Sequence, residues 1–233
     1  MEREFVTWFN SFAFAAVSRL DGELIIHGEF NSDLPVTLFN GSGYPANNGY
    51  TSSQEEYSGE MTSFYFTKLD IEVDFPMDSS LWERDFQYAI VGEFESYEVI
   101  PFWPWHHRSG YSIAEQASSL LFETDGQNTL SLIQRCGNPE IFRFFSGENQ
   151  GVMICFEQTG AISANLLRTY VVIYNGNYFI IDVECASSPI LFQLNGELFV
   201  WAKYSGYHCG ATGEYIQHLY EDGKCWSNFD WSN

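Results

Sequence analysis

The chain has 233 residues, 45% hydrophobic and 18% aromatic, so it can bury a sizeable core without disulfide staples and carries too many rings for a disordered acidic segment. Thirty-one acidic residues against ten basic ones give a formal net charge of −21. Phosphate binding draws on Lys and Arg, so this balance argues against direct contact with nucleic acid or an anionic membrane and favours a basic partner.

The charge is unevenly spread. Residues 1–125 carry a net −16, and Glu55 to Glu98 alone carry −10. The N-terminus, Met1-Glu2-Arg3-Glu4, lacks the basic start of a signal peptide, and the apolar run Phe12 to Val17 is too short for one. No apolar stretch approaches the ~20 residues of a spanning helix, and a cytoplasmic location is expected.

The first hairpin is read from Phe12–Leu20, the turn Asp21-Gly22, and Glu23–His27. Asp-Gly and Asn-Gly supply the positive φ angles of a type I′ turn, whose twist matches the flanking strands. Residues 40–60, rich in Gly, Asn, Ser and Tyr, read as a long loop. Strands are expected over Phe64–Phe75 and Phe86–Ile100.

Within the first of these, Asp70, Glu72 and Asp74 alternate with Ile71, Val73 and Phe75. On a strand the carboxylates share one face, starting ~6.6 Å apart. Their mutual repulsion in water is then only ~0.6 kcal/mol, which a solvated face tolerates without any ligand. Glu93 and Glu95 share a parity and offer a second acidic row. Together the two rows are the expected contact surface for a basic partner. Carboxylates on a flat strand diverge, so no metal site is expected there, and no cofactor motif occurs in the chain.

Phe102-Trp103-Pro104-Trp105-His106-His107-Arg108 follows. Trp and Arg are enriched at interface hot spots, so Trp103, Trp105 and Arg108 are candidates to anchor a partner. The competing reading has the Trp rings plugging the core beside a helix. That helix is signalled by Ser112 and Glu115 in a capping-box pattern, with Ile113, Ala117, Leu120 and Leu121 on one face and Gly126 as the stop. Short helical turns are read at 80–87 and 161–168.

The remaining strands are Ile141–Phe145, Val152–Glu157, the Asn175-Gly176 hairpin between Thr169–Tyr174 and Tyr178–Ile181, the Asn195-Gly196 hairpin between Ile190–Leu194 and Glu197–Trp201, and Tyr215–Tyr220. Asp182 and Glu184 form a carboxylate pair of the kind glycoside hydrolysis uses, with His208, Glu214 and His218 downstream. Five cysteines without a C-x-x-C pair suit reduced thiols; Cys136 and Cys155 read as buried small hydrophobes, and a Cys209–Cys225 bridge stays open.

The expected fold is mostly β, an antiparallel meander arranged as two sheets or a small propeller with one or two short helices. It is read as a single β-rich domain over 1–233, with any sub-division near 126–147. The expected function is a cytoplasmic protein that binds and neutralises a basic macromolecule, as an immunity protein or inhibitor does to a toxin or nuclease. The rival is a carbohydrate-active hydrolase or a sugar-binding β protein.

Overall fold

Three turns set the hairpins. Asp21-Gly22, Asn175-Gly176 and Asn195-Gly196 all have positive φ at both positions, 50° and 90°, 50° and 78°, and 51° and 81°. This is the type I′ geometry expected from their sequence. The structure, a computed structural model, describes residues 7–58, 63–71, 88–106, 110, 112, 115–120, 136–158, 168–185, 189–205, 212–220 and 225–230. The chain is mostly β, in antiparallel sheets, and forms two compact units. The first is Met1–Tyr97 with Cys225–Asn228; the second is Glu98–Lys224 with Phe229–Asn233. The division falls at Tyr97/Glu98, upstream of the 126–147 stretch to which the sequence points.

The first unit contains β1 (Thr7–Phe9), β2 (Phe12–Leu20), β3 (Glu23–His27), β4 (Pro35–Phe39), β5 (Pro45–Ser58), β6 (Ser63–Asp70) and β7 (Tyr88–Gly92). The hydrogen-bonded order β2-β3-β6-β5-β4-β7 returns to β2, closing a six-stranded barrel, and β1 adds to β2. A six-stranded barrel has a narrow interior, and β2 and β7 meet there through small side chains: Ala13 opposite Val91 and Ala15 opposite Ala89. Ile26, Val36 and Leu38 complete this core. The alternate residues of β2 and β7 carry the large rings. Phe12, Phe14 and Tyr88 are buried as well, and Phe14 and Tyr88 meet edge-on at 5.9 Å. Each such ring stabilises the fold by roughly 1.5–3 kcal/mol relative to exposure.

Residues 45–58 are strand, not the loop expected for 40–60. β5 alternates no apolar face: Ser52 to Ser58 are all exposed, so no period-two signal reaches the sequence. What makes it a strand is backbone pairing to β4 and β6. The other differences are breaks. The strand expected over 64–75 stops at Asp70, and the one expected over 86–100 divides at Gly92, whose φ of 110° and close approach to the Ser11 carbonyl both demand glycine.

The second unit contains β8 (Tyr97–Ile100), β9 (Phe102–Pro104), helix α1 (115–120), β10 (Cys136–Ser146), β11 (Asn149–Gln158), β12 (Arg168–Tyr174), β13 (Asn177–Cys185), β14 (Ile190–Leu194), β15 (Glu197–Ser205) and β16 (Thr212–His218); β17 (Cys225–Asp230) follows. Its sheet runs β16-β15-β13-β12-β11-β10-β9, and β14 joins β15 and β8. Gly151 to Phe156 are buried without interruption, because both faces of β11 are covered. One face joins Phe144, Met153, Cys155, Tyr170 and Val172 to Leu191, Leu198 and Val200, so the sheet curls over its own core. The other packs Ile141, Ile154, Phe156 and Val171 against Ala117 of α1. Cys155 is fully buried in the first of these clusters. Among the described residues, no helix is long and apolar enough to cross a membrane.

Candidate interaction surface

Two buried threonines build the acidic side of the first unit. Thr67 donates to the Gly28 carbonyl at 2.9 Å and accepts from the Phe30 amide at 3.1 Å. Thr51 donates to the Asn31 carbonyl at 2.7 Å and accepts from the Leu34 amide at 2.8 Å. These bonds fold the 28–34 connection onto β5 and β6 and leave Glu29 and Asp33 exposed. Gln54 of β5 then donates to Glu29 Oε1 at 2.7 Å.

Lys68 of β6 lies 2.8 Å from Glu23 and 2.9 Å from Glu55. Its ammonium donates hydrogen bonds to these carboxylates, Glu23 first, and they hold its pKa above the usual lysine range. Among the described residues of the first unit the basic side chains are Arg19 and Lys68, and Lys68 is thus already engaged. The exposed carboxylates are far more numerous. Asp21 and Glu23 sit at the first hairpin, Glu55, Glu56 and Asp70 on the β5–β6 ribbon, and Glu93 and Glu95 after β7. Exposed tyrosines stand among them: Tyr50, Tyr57 and Tyr65.

Asp70 is the last residue of β6, paired with Tyr50 of β5. Glu72 and Asp74 lie outside the described residues. Glu93 and Glu95 are on the connection between β7 and β8, not on a strand, so shared parity does not relate them. The Ser11 hydroxyl donates to the Glu93 carbonyl at 3.1 Å and fixes the start of this connection. Sequence reasoning missed Glu55, Glu56, Tyr57 and Tyr65 as a surface. The signal for the first three was the Tyr- and Glu-rich composition of 50–57, read as loop, whereas Tyr65 lies on the strand expected over 64–75.

The two tryptophans separate. Trp103 is 46% exposed on β9, opposite Arg143 of β10, and Arg143 lies 6.0 Å from the ring centroid of the exposed Phe145. Trp105 is half-buried, packs on the cluster that contains Ala117, and donates its amide to the Ile141 carbonyl at 2.8 Å. It plugs the core beside α1, the competing reading of this stretch. The capping box is formed: the Ser112 amide and hydroxyl donate to Glu115 at 2.7 and 2.8 Å, and the Glu115 amide donates to Ser112 Oγ at 3.2 Å. The Ser112 bonds hold the Glu115 carboxyl below the usual range. Arg108 lies outside the described residues.

The hydrolase candidates Asp182 and Glu184 fall on β13, where the ladder to β12 shifts register between Arg168 and Tyr170. His208 lies outside the described residues, and Glu214 is on β16. His218 is buried, stacked on Phe199 at 4.7 Å and on Tyr220 at 5.5 Å, with Glu197 at 3.4 Å. The expected helical turns at 80–87 and 161–167 and Cys209 lie outside the described residues, while residue 168 begins β12. Among the described residues, no three His, Cys, Asp or Glu side chains are grouped to hold a metal ion.

No protein-family model, curated protein or solved structure matches this chain.

Proposed function

We propose that this chain is an acidic interaction protein that binds and neutralises a basic macromolecular partner, as an immunity protein or inhibitor does to a toxin or nuclease. The observation that carries the reading is the imbalance on the first unit. Among its described residues, exposed carboxylates far outnumber the two basic side chains, one of which, Lys68, already bridges Glu23 and Glu55. Such a field steers a cationic protein into encounter and repels polyanions. The exposed tyrosines add rigid, amphipathic contact area of the kind enriched at interfaces. A nuclease holds phosphate with Lys and Arg, so a surface of fixed carboxylates competes for those same side chains. The expected contact set is Asp70, Glu93 and Glu95 with the ribbon residues Glu55 and Glu56. The proposal includes a cytoplasmic setting, which an odd number of cysteines suits.

The test is capture of partners at low and high salt, followed by assay of each captured protein's activity with and without the chain. The reading expects basic partners, release by salt, inhibition, and weakening in the Asp70→Asn, Glu93→Gln, Glu95→Gln variant. Partners that are acidic, or that bind as well at high salt, overturn it.

A second reading, sugar binding, is favoured by one observation: Trp103 and Phe145 present exposed rings beside Arg143. It expects glycan titration to change Trp fluorescence with little effect of salt, and loss of that change in Trp103→Ala.

A further inference from the structure

β5 pairs with β4 over its first half and with β6 over its second, and Tyr50 pairs with both. Pro45 to Tyr50 pair with β4 along one edge, and Tyr50 to Ser58 pair with β6 along the other. On the edge that β4 occupies lower down, Thr51 still exchanges backbone hydrogen bonds with Asp33 and Leu34, both at 2.9 Å; beyond Thr51, no strand among the described residues pairs with that edge. Every residue from Ser52 to Ser58 is exposed. One extra residue of β5 sits opposite β6 between Thr51 and Gln54, and the Ser52 hydroxyl donates to the Lys68 carbonyl at 3.1 Å across that bulge.

An edge of this kind offers a row of backbone donors and acceptors to any extended chain that can approach. The side chains decide which chain that is. Glu55 lies opposite Phe66 and Glu56 opposite Tyr65, so the two carboxylates project to opposite faces of the ribbon. A strand added to this edge meets a carboxylate on whichever face it turns a side chain. Opposite charges directly across a pair of strands stabilise and like charges destabilise. A second copy of the edge would set Glu against Glu in a chain of net charge −21, so self-pairing is disfavoured and a cationic segment is preferred.

We propose that Ser52–Ser58 is a strand-addition site for an extended lysine- or arginine-rich segment of the partner. This rests on the basic-partner reading and specifies how such a partner is held: backbone pairing supplies affinity, and Glu55 and Glu56 select for cations.

The probes are a short peptide alternating lysine and valine and the same peptide N-methylated at every second backbone nitrogen, which keeps the charge and loses the donors. Binding is read by fluorescence anisotropy and by amide hydrogen exchange of the whole chain. The expected result is slowed exchange within 52–58, affinity lower by at least about tenfold for the N-methylated peptide, and weakening of the unmethylated peptide in Glu55→Gln/Glu56→Gln. Equal affinity of the two peptides overturns strand addition while the electrostatic reading of the surface stands. Protection outside 52–58 overturns the site. Failure of both peptides to bind at low salt overturns the strand site together with the basic-partner reading.

Discussion

Gly49 of β5 stands so close to the Asp70 carbonyl that no side chain fits between them. A Cβ there would collide with that carbonyl and with the Ile71 side chain. Gly49→Ala therefore forces apart the strands that present Asp70. Destabilisation of about 1–3 kcal/mol is expected from the overpacking. Urea unfolding of the variant measures it, and wild-type stability would show that the strands yield freely.

Thr67 satisfies two backbone groups of the 28–34 connection at once, the Gly28 carbonyl and the Phe30 amide. Thr67→Val keeps the shape and removes both bonds. Because the site is fully buried, a loss of about 1–3 kcal/mol is expected. Amide exchange at Phe30 should accelerate more than exchange in the second unit.

Trp103 and Trp105, two positions apart, are expected to respond oppositely. Trp105→Ala removes a half-buried ring from the α1 cluster and costs about 2 kcal/mol, less than the ~3–5 kcal/mol of a fully buried Trp. Trp103→Ala leaves stability nearly unchanged and acts only on binding. Thermal melts of the two variants separate these roles; equal loss in both would mean that Trp103 packs as well.

Folding lowers the pKa of Glu115, chiefly through the Ser112 amide and then its hydroxyl. Its contribution to the helix start is therefore fully present above the ordinary value of 4.5 and fades as pH falls through the lower, folded one. In acid, the Ala117 methyl resonance should shift as α1 loosens, and in Glu115→Gln this pH dependence should be lost. A shift that persists in the variant assigns the titration to another group.

Lys68 bridges Glu23 and Glu55 and so offsets part of the charge of two carboxylates that stay exposed on the acidic surface. Lys68→Gln removes a cation and unbinds both. Association with a basic partner should quicken, and its salt dependence should steepen. Stopped-flow rates at two ionic strengths give the result, and an unchanged rate would place the encounter surface elsewhere.

The hairpins and the capping box were legible because their determinants are local. An Asn-Gly turn dictates its φ angles, and Ser112 and Glu115 lie within one helical turn of each other. β5 was not legible. Its residues show no alternation, since Ser52 to Ser58 bury neither face, and only pairing with distant residues defines it. The breaks at Asp70 and Gly92 escaped for a related reason. Alternation continues in the sequence past Asp70, and the Gly92 backbone turns where the carbonyl of Ser11, in the connection between β1 and β2, approaches it. The two tryptophans carry the same local signal, and only their neighbours across the sheet distinguish the buried one from the exposed one.

By itself the sequence determined the antiparallel β class, the hairpin turns, the helix start and the excess of negative charge, all set by residue chemistry acting over a few positions. The tertiary structure alone decided that β2 and β7 meet to close a barrel, that Lys68 gathers Glu23 and Glu55, and that β5 presents an edge. These depend on which strands lie side by side, and strand pairing is fixed by the joint burial of apolar faces far apart in the chain rather than by any segment alone.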